Sequence, residues 1–144
     1  VPKSAVAVEQ VLTLRHLRDL DAVRNDVFGH AAPLSDEDLE RELAECTKPG
    51  ARVARFVAYL DRVAIGSGGI TGHPKLSFAF LWAGGICEAY RGQGAYTALL
   101  RARMDWARAQ GIEHAGVYAK VDTSAPILAA HGFQRYGHVD YWER

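Results

Sequence analysis

Scarcities are the first guide to this chain of 144 residues. Cysteine occurs only twice, as Cys46 and Cys87, too few for a disulfide scaffold, so a reducing, cytoplasmic setting is the expectation. An excess of one charge is also missing: 17 Lys and Arg balance 17 Asp and Glu, for a net charge of zero. Nothing therefore argues for a nucleic-acid partner. No apolar run approaches the roughly 18 residues that a membrane helix needs, and no signal-peptide pattern opens the sequence, so no membrane partner is expected. The six histidines never fall at a ligand spacing with Cys or Asp, which argues against a metal. There is no repeat, no low-complexity tract and no linker.

What remains is ordinary globular composition, with 49% apolar and 24% charged residues, and a length that fits one domain over residues 1–144. Val6–Leu14 reads as a first strand. Leu17–Phe28 reads as a helix, because Leu17, Leu20, Val23, Val27 and Phe28 recur at three- and four-residue spacing. Ser35, followed by Asp36-Glu37-Asp38, caps a second helix that runs to about Cys46. The period then changes to two: Val53–Leu60 and Val63–Ile70 form a hairpin around Leu60-Asp61-Arg62. Leu76–Cys87 is a third, mostly apolar strand of this meander, with Gly84-Gly85 marking a bulge or a close backbone approach. Ala95–Gln110 is an amphipathic helix with Ala95, Leu99, Ala102 and Trp106 on one side, ended by Gly111. His114–Val121 is a further strand, Ser124–His131 a short helix and Phe133–Trp142 the last strand or strand pair. The expected fold class is α+β (α/β), with a mixed, mostly antiparallel sheet of about six or seven strands flanked by about four helices.

One stretch carries chemistry. Arg91-Gly92-Gln93-Gly94-Ala95-Tyr96 joins an apolar strand to a helix that begins at once. Two glycines and a helix N-terminus aim several backbone N–H groups at one point, which suits a phosphate. A dinucleotide fingerprint fits less well, because the third glycine is missing and the preceding strand reads as antiparallel.

In this order and setting the turn resembles the cofactor signature of the GNAT (Gcn5-related N-acetyltransferase) family, Arg/Gln-x-x-Gly-x-Gly/Ala. A second similarity is Asp122-Thr123-Ser124-Ala125-Pro126-Ile127-Leu128 followed by Gly132-Phe133, which looks like the family's later strand-helix unit. The resemblance covers roughly residues 52–141. It implies acetyl-CoA, or another acyl-CoA, as cosubstrate in a cleft where the third meander strand and His114–Val121 splay apart, with the backbone of Ile86 and Cys87 on the pantetheine arm. Gly92, Gln93, Gly94, Ala95 and Tyr96 would hold the pyrophosphate, and no metal is implied. Three positions depart from the family pattern. Tyr96 stands where Gly or Ala is usual and Glu88 where Pro is usual. The position that often carries a Tyr proton donor falls on Ala129 or Leu128.

The implied reaction is transfer of an acetyl group to a primary amine of a small molecule or peptide, by direct attack in a ternary complex. A non-catalytic acetyl-CoA sensor of the same fold is the alternative. Glu88, at the strand end, is the candidate general base if partial burial raises its pKa, or else a solvated turn acid. Backbone near Gly85–Cys87 is the candidate for polarising the thioester carbonyl. Ser124 is a candidate for a hydrogen bond to the thiol or the pantetheine, and Asp122 for a cofactor contact; both also suit a plain helix cap. Arg91 pairs with a phosphate or with Glu88. Tyr96 covers the core edge or touches the cofactor. Cys87 as an acyl-carrying nucleophile lacks an activating histidine and reads better as core. The acidic run Asp36–Glu45 draws in an amine or is a solvated helix face. Tyr118, Tyr136, Tyr141 and Trp142 wall an acceptor pocket or pack. A monomer or a homodimer is expected.

Overall fold

A computed structural model describes residues 6–29 and 33–117. The expected helix Ser124–His131, the strand or strand pair Phe133–Trp142, the candidates Asp122 and Ser124 and the four aromatics from Tyr118 onward lie outside the described residues. Within them are five strands and three α-helices, with the strands side by side in chain order. β1 (Ala7–Gln10), β2 (Val53–Leu60), β3 (Val63–His73) and β4 (Phe78–Ile86) pair antiparallel in succession, and β5 (His114–Val117) joins β4 in parallel. The sheet is therefore mixed and mostly antiparallel.

Alternation along β2 decides the layering. Ala54, Phe56 and Ala58 face a core shared with Leu99, Leu100 and Ala107 of α3 (Ala95–Ala109). Val53, Val57 and Tyr59 face the opposite core, built with α1 (Leu14–Phe28) and α2 (Asp36–Thr47). The β2–β3 hairpin closes on Asp61 and Arg62, both at positive φ (49° and 69°), the two-residue geometry that matches strand twist.

Several boundaries move from their sequence-based positions. β1 stops at Gln10 because the chain is taken over by α1, whose N-cap Thr13 accepts from the His16 N–H. That cap starts the helix at Leu14, not Leu17. α2 begins as expected, with the Ser35 hydroxyl accepting from the Asp38 N–H at 3.2 Å. β3 runs on to His73, and β4 starts at Phe78 because Pro74–Leu76 is a 3-10 turn closed by Ser77 at φ 49°. On α3 the buried stripe is Ala95, Leu99, Arg103 and Ala107, with Leu100 beside it. It is displaced by one residue from the expected Ala102–Trp106 side.

The two readings of Gly84-Gly85 separate. Ser67 pairs with Gly85 and Gly69 with Trp82, so Gly68 faces both Ala83 and Gly84. The bulge is thus Ala83–Gly84, with Ala83 at φ 52°, a conformation costing an L-residue about 1–2 kcal/mol. Gly85 is where α1 comes close: a Cβ there would stand 2.7 Å from the Val27 Cγ1.

Candidate active site

Beyond β4 the chain makes a 3-10 turn over Glu88–Tyr90 and then Arg91 leads into the glycine turn. Gly92 (φ 81°) and Gly94 (φ 85°) both take the left-handed conformation that L side chains rarely adopt. Gly94 is the N-cap of α3 and supplies no side-chain hydrogen bond. The first-turn N–H groups of α3, which have no intrahelical acceptor, are therefore left for a ligand. A Cβ placed at Gly92 or Gly94 would meet nothing within 4 Å. The glycines serve the backbone turn and leave open space in front of the helix dipole. A pyrophosphate fits this cradle by charge and by donor set.

Arg91 is exposed and makes no ion pair among the described residues; toward Glu88 it has only a backbone bond, from its N–H to the Glu88 carbonyl at 3.3 Å. The Glu88 pairing expected as one option is not made. Glu88 is exposed, against the partial burial expected of a general base.

The backbone pair Ile86 and Cys87 divides. The Cys87 N–H donates to the Ile65 carbonyl at 2.8 Å, so it is not free for a pantetheine arm, and the Cys87 carbonyl accepts from the Tyr90 N–H at 2.9 Å with one lone pair left over. Hydrogen-bonded and non-bonded residues alternate along an antiparallel ladder. Ile86, paired with Gly66 next to that bond, accordingly directs its N–H and carbonyl away from β3. They point to the side of β4 on which β5 pairs; the described pairing of these strands runs from Phe78↔His114 to Leu81↔Val117.

Cys87 is buried, and burial together with the neighbouring Asp26 carboxylate, which accepts the S–H, pushes its thiol up to about 11. It is a thiol and not a thiolate near neutrality, which removes the driving force for a covalent route. Asp26 was not legible as a site residue. It stands on α1 and shares a cavity of about 480 Å³ with Val27, Ile86, Glu88, Ala89 and Arg91. A second cavity, of about 270 Å³, opens at the β4 bulge and is lined by Trp82, Ala83, Gly84, Tyr96, Arg103 and Val117 among others. Tyr96 both packs on the core edge and lines this cavity.

The acidic run on α2 is largely paired: Asp36 with Arg18 at 3.0 Å, Asp38 with Arg41 at 3.3 Å, Glu45 with Lys48 at 3.1 Å and Glu42 with Arg24 and Arg55 at 3.0 and 3.1 Å. It is a helix face braced largely by ion pairs. No metal-binding group of His, Cys, Asp and Glu occurs among the described residues, and none of their helices is long and apolar enough to cross a membrane.

A bulged strand with a parallel neighbour thus feeds a glycine turn at a helix N-terminus whose first-turn N–H groups suit a phosphate. The model of the acetyltransferase (GNAT) family matches residues 17–137, and the chain belongs to that family. Among solved structures it is similar to AAC(6')-Iy in complex with the bisubstrate analogue CoA-S-monomethyl-acetylneamine, at TM-score 0.76 and 20% identity over 98% of this chain and 99% of that one. A Trypanosoma brucei acetyltransferase gives TM-score 0.79 at 17% identity, over 97% of this chain and 100% of that one. The aminoglycoside antibiotic 6'-N-acetyltransferase AAC(6')-Ih from Acinetobacter baumannii gives 0.72 at 20% identity, over 97% and 98%. At such identities the likeness is one of fold. No curated protein matches by sequence.

Proposed function

We propose that this chain transfers an acetyl group from acetyl-CoA to a primary amine of a small molecule or peptide. The observation that carries this reading is the uncapped α3 N-terminus with its two left-handed glycines and open front. The cradle holds the pyrophosphate, and the outward-facing Ile86 backbone offers a strand-like partner to the pantetheine amides. The larger cavity, which bears the carboxylates of Asp26 and Glu88, receives the amine as an ammonium ion. Its size lies within the usual range for small-molecule sites. The acceptors named for the similar structures, aminoglycosides among them, are amines of this kind.

Glu88, open to water, removes a proton from the ammonium directly or through a water molecule. The neutral amine then attacks the thioester carbonyl. Holding the two reactants together supplies most of the rate enhancement, since a thioester is already activated.

Calorimetry with acetyl-CoA tests the reading, followed by thiol release with a panel containing an aminoglycoside, a polyamine and a peptide. Native protein is expected to bind acetyl-CoA and release CoA thiol with at least one amine class. Gly94→Trp, which cannot hold the left-handed turn and fills the cradle, should weaken binding by about a hundredfold or more. Absence of acetyl-CoA binding by native protein overturns the reading. Tight binding with no release across the panel favours instead the sensor alternative.

A further inference from the structure

Arg103 is the one charged residue of α3 that is buried, with only 1% of it exposed. Its Nε donates to the Leu99 carbonyl at 3.2 Å and its Nη1 to the Gly69 carbonyl at 3.4 Å. No carboxylate pairs with it among the described residues, and burial pulls the guanidinium below its ordinary range. A cation buried without a carboxylate is costly, and an anion brought by a ligand offsets that cost.

The sheet is shaped to bring this cation to a cavity. A Cβ at Gly68 would stand 2.9 Å from the Arg103 Cζ, and one at Gly84 would stand 3.4 Å from its Nη2. Residues without side chains on both strands thus let the guanidinium reach the β4 bulge. Nη2 takes part in neither carbonyl bond, and a guanidinium has donors to spare for a further acceptor. The cavity of about 270 Å³ that Arg103 borders is also lined by Leu81 and Val117, the last described pair of the β4–β5 ladder. An acetyl group has three non-hydrogen atoms; even at the roughly 30 Å³ of a water molecule for each, it leaves most of that volume empty.

On the acetyl-CoA reading above, on which this rests, the pyrophosphate sits before α3 and the pantetheine amides lie beside Ile86. The arm therefore runs back along β4 toward the bulge. From phosphate to sulfur it has as many bonds as about four residues of extended chain, or roughly 14 Å. Arg103 stands eight residues along α3 from Ala95, a rise of about 12 Å. The acyl end of the cofactor thus comes level with Arg103, well beyond the first turn of the helix.

We propose that the donor site prefers an acyl-CoA whose acyl group ends in a carboxylate, such as malonyl- or succinyl-CoA, and that Arg103 is the residue that selects it. The terminal carboxylate accepts from the guanidinium and is unchanged by the transfer. The ammonium of the acceptor gives one proton to Glu88, and the neutral nitrogen bonds to the thioester carbonyl carbon. The carbon–sulfur bond breaks with its electron pair on sulfur, and the surplus proton on nitrogen reaches that sulfur through water. The products are CoA thiol and an amide that carries a free carboxylate.

Calorimetry on native protein and Arg103→Met, with acetyl-, butyryl- and succinyl-CoA, tests this without an acceptor. Butyryl and succinyl have the same number of carbons and differ in the terminal charge. Native protein should bind succinyl-CoA about tenfold or more tightly than butyryl-CoA, and Arg103→Met should bring that ratio to about one or below. A native preference under about threefold overturns the proposal and, where acetyl-CoA binds, leaves the acetyl-CoA reading intact. A preference that survives Arg103→Met also overturns it, because the selecting charge then lies elsewhere. If native protein binds none of the three, the underlying reading fails and the proposal falls with it.

Discussion

Two arginines on opposite faces of one sheet, Arg103 fully buried and Arg55 partly so, show what separates scaffold from site here. Arg55, on the α1/α2 face, donates to the Glu42 carboxylate at 3.1 Å, and its guanidinium lies 5.0 Å from the centre of the Trp82 ring. Glu42 also accepts from Arg24, which in turn bonds Asp21 at 2.9 Å. Two guanidinium groups meet two carboxylates, so charge closes locally and joins α1, α2 and β2. Arg103, on the α3 face, has carbonyl oxygens and a phenol in place of a carboxylate. The closed network borders neither cavity, whereas the open charge lines one. Asp26 is its counterpart in the other cavity: a carboxylate with no cation among the described residues, holding a thiol proton. One cavity is thus bordered by a carboxylate and the other by a cation, neither of them in an ion pair among the described residues.

The largest expected effect comes from opening the closed network. Glu42→Ala leaves Arg24 with Asp21 alone and Arg55 with only the Trp82 face. The side chains of Arg24, Arg55 and Glu42 are 17%, 19% and 28% exposed, so water softens the loss. Urea unfolding should show a destabilisation of about 2–3 kcal/mol, with acetyl-CoA affinity unchanged. A loss of affinity comparable to that of Gly94→Trp would show that the network belongs to the site after all.

A smaller effect is expected at Asp26. The Cys87 thiol is raised from an ordinary 9.0 to about 11, first by burial and then by the Asp26 carboxylate. The folded state thus favours the protonated thiol. That contribution to stability is complete below pH 9 and is lost as pH rises through about 11. Alkylation of Cys87 by iodoacetamide, followed by peptide mass spectrometry, should have its midpoint near pH 11 in native protein. Asp26→Asn should lower that midpoint, though not to the ordinary value, because burial remains. A midpoint near 9 in the native protein would place Asp26 away from the thiol and detach it from the proposed amine site.

The elements that position the site were legible where local rules act alone. Period two with Asp61-Arg62 gave the β2–β3 hairpin, Ser35 before three acids gave the start of α2, and the glycine turn gave the cradle. Reading stopped where two effects overlap at neighbouring residues. Gly84 and Gly85 answer to different needs, one to a bulge that admits Arg103 and the other to the approach of Val27. Composition alone assigns them a single role. Cys87 was expected to bind through its backbone, but a ladder bond to Ile65 uses the N–H, and register is not visible in one strand's sequence. Arg103 was missed because a charge on a helix reads as solvent-facing. Its spacing from Ala95, Leu99 and Ala107, four residues each way along the stripe, was the available signal.

The smallest expected change in stability is the sharpest test of the comparison. If Arg103 is kept for chemistry, its burial with no carboxylate partner among the described residues is a cost that an apolar side chain of similar length removes. Arg103→Met should therefore unfold within about 1 kcal/mol of native protein, or above it, because exchanging a poorly compensated buried charge for packing is often neutral or favourable. Arg55→Met should lose about 1–2 kcal/mol, since it strips Glu42 of one of its two partners. Matched urea titrations of the two variants decide the matter. A loss at Arg103 equal to or larger than that at Arg55 would make its bonds to the Leu99 and Gly69 carbonyls structural, and the two faces would then differ in geometry alone. Unchanged stability at position 103 with impaired turnover would instead mean that the sheet carries a destabilising charge where the reaction needs it.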